Sequence, residues 1–188
     1  MSRLRIQQRT RIYLGCEGQS EQSYGARLGQ IADAVGLHLY FDSDVLQPGG
    51  GDPLALVRLA IRRIREKEAK RGIFAFRAIL LDCDKMGAKR ERDAQIGQLS
   101  SRNRLHLIWQ EPCHEGFLLR HLDGHQTARP ITSDLAEQTL KSVWAEYQKA
   151  MPAVRLATRI DLQAVRRACS VEAALAVFLN QIGFTPNL

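Results

Sequence analysis

The residues with the clearest potential for chemistry are carboxylates that follow predicted strands. Glu17 and Glu21 come just after an apolar segment, in the stretch YLGCEGQSEQSY, and Asp82 and Asp84 close a later apolar run. In open α/β sheets, binding sites form at the carboxyl ends of the strands. If the two strands are parallel neighbours, all four carboxylates converge on one edge of the sheet.

Such a concentration of negative charge is unfavourable unless a cation offsets it. Mg²⁺ takes oxygen ligands, commonly one or two carboxylates together with water and substrate phosphate. Gly18 would allow the backbone to approach closely there. Other readings stay open, since Glu21 suits the first turn of a helix and Asp84 suits a turn before Lys85. Asp82 is harder to explain in those terms, because it ends a strongly apolar strand.

The elements that would position these carboxylates alternate between strands and helices. The predicted strands are Arg11–Cys16, Leu37–Phe41, Phe76–Asp84 and Arg104–Trp109. Apolar residues at spacings of three and four predict a helix after the first strand, ending at Gly36. Asp52 and Pro53 predict the start of a second helix, and the chain from Ser133 onward is predicted to be helical.

These patterns predict an α/β fold of the Rossmann-like kind, with a mainly parallel four-stranded sheet flanked by helices. The uninterrupted apolar stretch of the third strand is typical of a central parallel strand covered on both faces. We expect one domain over residues 1–188, with a core at about 9–125 and a helical C-terminal subregion at about 133–186.

Composition narrows the class of partner. The chain of 188 residues has 27 Lys and Arg against 20 Asp and Glu, for a net charge of +7. A basic surface favours a polyanion such as nucleic acid. No apolar run approaches a membrane span and no signal peptide is recognisable, so we expect no membrane partner and a cytoplasmic location. The four cysteines contain no C-x-x-C pair and are predicted to be reduced and structural.

Several other groups of residues could also carry chemistry. Asp42 and Asp44 are interpreted as turn residues before a glycine-rich loop that lacks the Lys-Ser/Thr of a phosphate-binding loop. The histidines near Glu115 fit no standard zinc spacing. The basic segment Arg155–Arg167 fits either a solvated face or a nucleic-acid clamp, and the cations after Asp84 fit either a solvated loop or a phosphate grip.

Three motifs in order resemble those of the RloB-like family, which has a Toprim domain and is related to OLD-type nucleases. The first family motif resembles C-E-G-x-(S/T)-E-x-x-Y, here Cys16 to Tyr24. The second is D-x-D after a strand, in LLDCDK. The third resembles N-P-C-F-E-x-W-L-L-L-H, here EPCHEGFLLRH, and a later Y-x-K appears at Tyr147 and Lys149. The similarity spans about Tyr13 to Lys149. Glu111, His114 and Arg120 depart from the third motif.

The resemblance implies a Toprim-like fold that binds Mg²⁺ or Mn²⁺. It implies catalytic roles for Glu17, Asp82 and Asp84. The implied metal ligands are Glu17, Glu21, Asp82, Asp84 and Glu115. Residues that we expect on the substrate side are Lys85, Lys89, Arg90, His121 and Lys149, although His121 also fits a packing role.

The expected function is a metal-dependent nuclease that hydrolyses phosphodiester bonds in DNA or RNA, including transfer RNA. The resemblance would place it in prokaryotic defence against phage, alone or with a partner ATPase or other defence subunit. Two alternatives stay open. One is a non-catalytic subunit that binds nucleic acid or a partner, and the other is an enzyme that transfers nucleotides or hydrolyses small nucleotide esters.

Overall fold

The computed structural model of the protein describes residues 8–47, 51–84, 86–87 and 89–184. Strands and helices alternate as far as residue 110, and the elements that follow are all helices. The strands are β1 Thr10–Cys16, β2 Leu39–Val45, β3 Phe76–Asp82 and β4 His106–Gln110. The helices are α1 Gln19–Ala34, α2 Pro53–Arg71, α3 Arg90–Arg102, α4 His114–Leu119, α5 Ser133–Val143, α6 Ala153–Leu156, α7 Leu162–Cys169 and α8 Ala173–Gln181. The predicted α/β class with a helical C-terminal region is confirmed.

The sheet has the strand order β2-β1-β3-β4, and every neighbouring pair is parallel. From β1 the chain first forms β2 on one side, and then crosses to form β3 on the other. This reversal creates a topological switch point between β1 and β3, where open α/β sheets form a crevice at the carboxyl ends of their strands. The last residue of β1, Cys16, lies opposite Leu80 of β3 in the register. The acidic residues that follow β1 and end β3 therefore flank the switch point.

Alternation along the buried strands divides the core into two layers. Ile12 and Leu14 of β1 face α1 and the C-terminal helices. Tyr13 of β1 faces the opposite layer, which α2 and α3 form. Successive strand side chains point to opposite faces, so a strand that is apolar on both sides is expected at the centre of such a sandwich.

The helix boundaries follow local chemistry. The carboxylate of Asp52 accepts a hydrogen bond from the backbone N–H of Ala55 at 3.0 Å, and Pro53 is the first residue of α2, as predicted. Gly36 follows the end of α1 with a φ of 76°, a left-handed conformation that glycine adopts without strain. All four cysteines are free.

The prediction for the second strand was wrong, because β2 continues to Val45 and includes Asp42 and Asp44. Both aspartates are buried on the α2 face of the sheet, where Lys67 lies 2.7 Å from Asp42 and Arg63 lies 3.0 Å from Asp44. These cations are provided by α2, far along the chain. The acidic residues are thus paired strand residues and not turn residues.

The C-terminal helices are shorter than predicted. The helix α5 ends at Val143, and the basic segment Arg155–Arg167 is divided between α6 and α7. Asp161 separates them by accepting a hydrogen bond from the backbone N–H of Ala164 at 2.7 Å, which starts α7. Within the described residues, no helix has the length and apolar character needed to cross a membrane.

Candidate active site

The candidate site lies at the carboxyl ends of β1 and β3. Glu17 comes directly after β1, and Asp82 is the last residue of β3. The backbone N–H of Asp82 donates a hydrogen bond to Oε2 of Glu17 at 3.3 Å. Both residues are half-buried. The topology thus places the Glu17 carboxylate against the backbone of Asp82, across the switch point.

Glu21 lies in the first turn of α1 and is only 4% exposed. Its Oε2 accepts a hydrogen bond from the backbone N–H of Gly18 at 3.0 Å. This bond satisfies one of the free N–H groups at the start of the helix, and the negative charge is favourable there. The capping role considered for Glu21 is therefore present, and it keeps a carboxylate buried beside the switch point.

Asp82 has the most unusual electrostatic environment of these acids. Burial, together with the neighbouring carboxylates of Glu21, Glu17, Asp84 and Glu115, raises the pKa of its carboxyl to about 9. Its Oδ1 is buried and has no hydrogen-bond partner within the described residues. Leaving a buried carboxylate oxygen unpaired is costly. A cation at this oxygen would remove that cost and offset the surrounding negative charge. We call these five residues the acidic cluster.

The donor atoms of the acidic cluster suit a hard divalent cation, because all of them are carboxylate oxygens. However, no group of three or more His, Cys, Asp or Glu side chains is close enough to hold a metal ion within the described residues. Asp84 is exposed and lies in the turn after β3. The acids therefore interact through their charges around Asp82 without forming a closed set of ligands. Mg²⁺ sites often use only one or two carboxylates, and the cluster is compatible with that kind of site.

Glu115, in the first turn of α4, is held by two other buried residues. The hydroxyl of Tyr147 donates a hydrogen bond to Oε1 at 3.1 Å, and Sγ of Cys113 donates to Oε2 at 3.3 Å. Burial, and then the charge of Glu115, raise the pKa of the Tyr147 hydroxyl, which keeps it protonated as a donor. Both carboxylate oxygens of Glu115 therefore have protein partners.

His114 is a member of the site that the sequence did not single out. It is 3% exposed, and its Nδ1 lies 2.8 Å from Nε2 of Gln110 and 3.9 Å from Oε1 of Glu21. Nε2 of His114 is buried without a hydrogen-bond partner in the described part of the chain. The only sequence signal was its departure from the aromatic residue of the third motif. A polar ring in that position brings a titratable group next to the buried carboxylate of Glu21.

His121 lies in the core and has no exposed surface, so it does not contact a substrate in this structure. Its Nδ1 is 3.0 Å from the carbonyl oxygen of Phe117, and its Nε2 is 2.9 Å from the hydroxyl of Tyr24. A carbonyl can only accept, so Nδ1 carries the hydrogen and Nε2 accepts from Tyr24. Burial lowers the pKa of His121 to about 3, which keeps the ring neutral. This contact joins the first motif to the third.

The other expected substrate residues are separated in space. Lys89 and Arg90 are exposed at the start of α3, which follows the carboxyl end of β3. Lys149 is exposed and lies 2.9 Å from the carboxylate of Glu137. Lys85 lies outside the described residues. Of the Arg155–Arg167 segment, Arg167 is used internally, because its Nε donates a hydrogen bond to the carbonyl of His121 at 2.9 Å.

No known family model matches this chain. No curated protein and no solved structure matches it either. The resemblance of the three motifs to the RloB-like family therefore stays a prediction. The geometry adds that residues of the three motifs contact one another, Glu17 with Asp82 at the edge of the sheet and Tyr24 with His121 in the core.

Proposed function

We propose that the protein is a metal-dependent nuclease of the Toprim type. The observation that carries this proposal is the environment of Asp82: a half-buried carboxyl at the switch point, with four carboxylates around it and a buried Oδ1 that has no hydrogen-bond partner in the described part of the chain. Clusters of groups with strongly raised pKa values in a crevice are typical of functional sites. A basic protein with a net charge of +7 also suits a phosphodiester polymer as substrate.

The residues that would hold Mg²⁺ or Mn²⁺ are Asp82 and Glu17, with Asp84 and Glu21 close to them. When bound, such an ion stabilises negative charge on the phosphoryl group and makes water a better nucleophile. The hydrogen bond from the backbone N–H of Asp82 orients the Glu17 carboxylate, which is half-buried at the edge of the sheet. Glu115 is held by hydrogen bonds from Tyr147 and Cys113. In this position its charge helps to raise the pKa of Asp82.

A second candidate function is a non-catalytic subunit that binds nucleic acid. The lack of three metal-spaced side chains in the described residues favours it. The nuclease is the better account of Asp82, because a surface that only binds phosphates gains nothing from a buried carboxylate whose charge repels them. On the resemblance, we place either activity in prokaryotic defence against phage, with or without a partner ATPase.

Cleavage assays separate these functions. Purified protein would be incubated with labelled DNA, RNA and transfer RNA in Mg²⁺ or Mn²⁺, and in EDTA. We expect cleavage that needs the metal and is lost in Glu17→Gln and Asp82→Asn, while Asp134→Asn, an exposed carboxylate on α5, keeps full activity. Uncut nucleic acid that is still bound in Mg²⁺ and Mn²⁺ would favour the binding subunit. Hydrolysis of mononucleotide esters but not of polymers would favour the small-nucleotide esterase.

A further inference from the structure

The layer formed by α2 and α3 is rich in basic residues. The helix α2 alone carries seven Lys and Arg residues against two Glu residues. Both helices follow the carboxyl end of a strand, so their first residues lie at the same edge of the sheet as the acidic cluster. The cations of this layer divide into those that are paired with acids and those that are not.

The paired cations lie toward the sheet. Arg63 and Lys67 neutralise the buried aspartates of β2. Arg77 lies 2.8 Å from the carboxylate of Glu68. Arg92 lies within 3.4 Å of both Asp52 and Asp93. These contacts stabilise the packing of the helices on the strands. Because these cations are already paired with acids, they have little unpaired positive charge with which to bind a partner molecule.

Of the exposed cations on the outside of the same layer, we group Arg58, Arg65, Lys89 and Arg90 and call them the α2–α3 basic groove. Within the described residues, no ion pair joins any of them to a carboxylate. Nη2 of Arg58 lies 3.2 Å from Oε1 of Gln95 on α3. Arg65 likewise reaches across to the end of α3, where its Nη2 lies 3.5 Å from Oδ1 of Asn103. Two unneutralised guanidinium groups therefore lie along the line between the helices.

The end of the groove nearest the acidic cluster opens into a cavity of about 610 Å³. Its lining residues are Asp52, Leu54, Lys89, Arg90, Glu91, Arg92 and Gln95. Its two carboxylates differ in their surroundings. Asp52 is occupied by the N–H of Ala55 and by Arg92, whereas Glu91 is exposed. The cations outnumber the acids in this lining, and Lys89 and Arg90 lie at the start of α3, which follows the carboxyl end of β3.

Size and composition point to a duplex rather than a single strand. The 19 residues of α2 span roughly 28 Å at about 1.5 Å per residue, close to one turn of double-stranded DNA at roughly 34 Å. Sites for single strands combine basic residues with aromatic side chains on which bases stack. None of the residues that line the cavity is aromatic. The cavity lining therefore offers cations to phosphates and no aromatic ring on which a base could stack.

We propose that the α2–α3 basic groove binds the phosphates of double-stranded nucleic acid, and that it leads the duplex toward the acidic cluster. Binding itself needs no catalysis, whereas delivery to the acidic cluster rests on the proposed function. The basic segment Arg155–Arg167, which packs on the α1 side of the sheet through Leu156 and Ile160, is not part of this surface.

The test measures binding in EDTA, so that cleavage plays no part. Anisotropy titrations would use a labelled DNA duplex, an RNA duplex and the matching single strands over a series of salt concentrations. The groove variant is Arg58→Gln/Arg65→Gln/Arg90→Gln. The matched control, Lys141→Gln/Arg155→Gln/Arg159→Gln, removes the same charge from exposed residues outside this layer.

We expect wild type and the control to prefer duplex over single strand and to bind it alike. The groove variant should bind at least about tenfold more weakly, and its slope of log affinity against log salt should fall by about 3, roughly 0.9 for each phosphate contact with DNA. The titrations would be repeated with a variant in which the same three arginines are replaced by lysine. If the groove variant is folded, this lysine variant should recover most of the wild-type slope of log affinity against log salt.

The inference is overturned if both variants weaken equally, if only the control weakens, if single strands bind as well as duplex, or if wild type binds no duplex. Its failure is distinguishable from failure of the proposed function. Asp82→Asn should bind duplex as well as wild type in EDTA, because Asp82 lies outside the α2–α3 basic groove, while it loses cleavage in Mg²⁺. Duplex binding by the groove without any metal-dependent cleavage would uphold the surface and refute the nuclease.

Discussion

The backbone N–H of Asp82 donates a hydrogen bond to the side chain of Glu17 at 3.3 Å, across 65 residues of sequence. This contact joins the end of β3 to the end of β1, the two strands that flank the switch point. It holds the Glu17 carboxylate beside Asp82, whose carboxyl has a pKa raised to about 9. An arrangement of this kind is unfavourable for the folded state by itself, and a bound cation would make it favourable.

Divalent metal should therefore stabilise the protein through Asp82. We expect Mg²⁺ to raise the melting temperature of wild type, because the ion binds the folded acidic cluster and not the unfolded chain. Asp82→Asn should lose this response. In EDTA near neutral pH the same variant should be more stable than wild type, because folding no longer has to protonate a carboxyl whose pKa is raised from 3.8 to about 9. Differential scanning fluorimetry with and without Mg²⁺, at constant ionic strength, measures both effects.

Asp134→Asn is the control for that measurement, because it removes an exposed carboxylate from the first turn of α5. It should keep the full Mg²⁺ response. An equal rise in melting temperature for wild type and Asp82→Asn would show that Mg²⁺ acts elsewhere on the protein, and would count against a metal at the acidic cluster.

The buried histidine predicts a loss of stability in acid. The pKa of His121 is about 3 in the folded protein, against an ordinary value of 6.5. Between these values the unfolded chain binds more protons than the folded one, so the free energy of unfolding falls as the pH drops below 6.5. The limiting slope is about 1.4 kcal/mol per pH unit.

Urea unfolding of wild type and His121→Gln across this pH range measures the contribution. The variant should be less stable near neutral pH, because it loses the bond from Tyr24, and its stability should vary less with pH. His38→Gln replaces an exposed histidine and should keep the wild-type slope. Parallel pH curves for wild type and His121→Gln would show that His121 is not the group that titrates.

The architecture could be predicted because it depends on patterns that are local in the sequence. The apolar run of β3 and the three-and-four spacing of α1 each identify an element without knowledge of its neighbours. The second half of β2 could not be identified in that way. Asp42 and Asp44 resemble turn residues by composition, and the cations that pair with them lie 25 and 19 residues away on α2. A charged residue can be assigned to a buried strand from the sequence only when the residue that pairs with it is known.

The candidate site shows the same limit. Carboxylates at the ends of strands were predictable, because parallel strands end at a common edge. The contact of His114 with Glu21 was not, since it depends on how α4 packs beside α1. The burial of His121 was also undecided, because a histidine next to a motif suits either a substrate or a packing role. Its two hydrogen bonds, to Tyr24 and Phe117, show that His121 has the packing role.

The hydrogen bond from Tyr147 to Glu115 should support both stability and the position of the acid. Tyr147→Phe removes the donor from a buried carboxylate and should lower the free energy of unfolding by about 1–3 kcal/mol. In the Glu115→Gln background, the hydrogen-bond partner of Tyr147 is uncharged. Tyr147→Phe should therefore lower the free energy of unfolding by less. A double-mutant cycle by urea unfolding gives the coupling directly. A coupling near zero would mean that the two side chains do not interact in solution, although they lie 3.1 Å apart here.

The departure of Arg120 from the third motif has a structural partner in Glu172. The guanidinium of Arg120 is fully buried, and its Nε donates a hydrogen bond to the carboxylate of Glu172, the residue before α8. Its Nη1 also donates to the carbonyl oxygen of Glu111 at 2.9 Å. The side chain thus joins the end of α4 to the loop before it and to the start of α8.

Removing only one member of this pair should be costly, because it leaves the other charge buried. Arg120→Met should lower the free energy of unfolding by about 3 kcal/mol, the lower end of the range for buried pairs. The lower end applies since Arg129 remains 3.7 Å from Glu172. The double variant Arg120→Met/Glu172→Gln should recover part of that loss, which urea unfolding would detect. If the double variant is as unstable as the sum of its single variants, Arg120 acts through its bonds to backbone carbonyls rather than through Glu172.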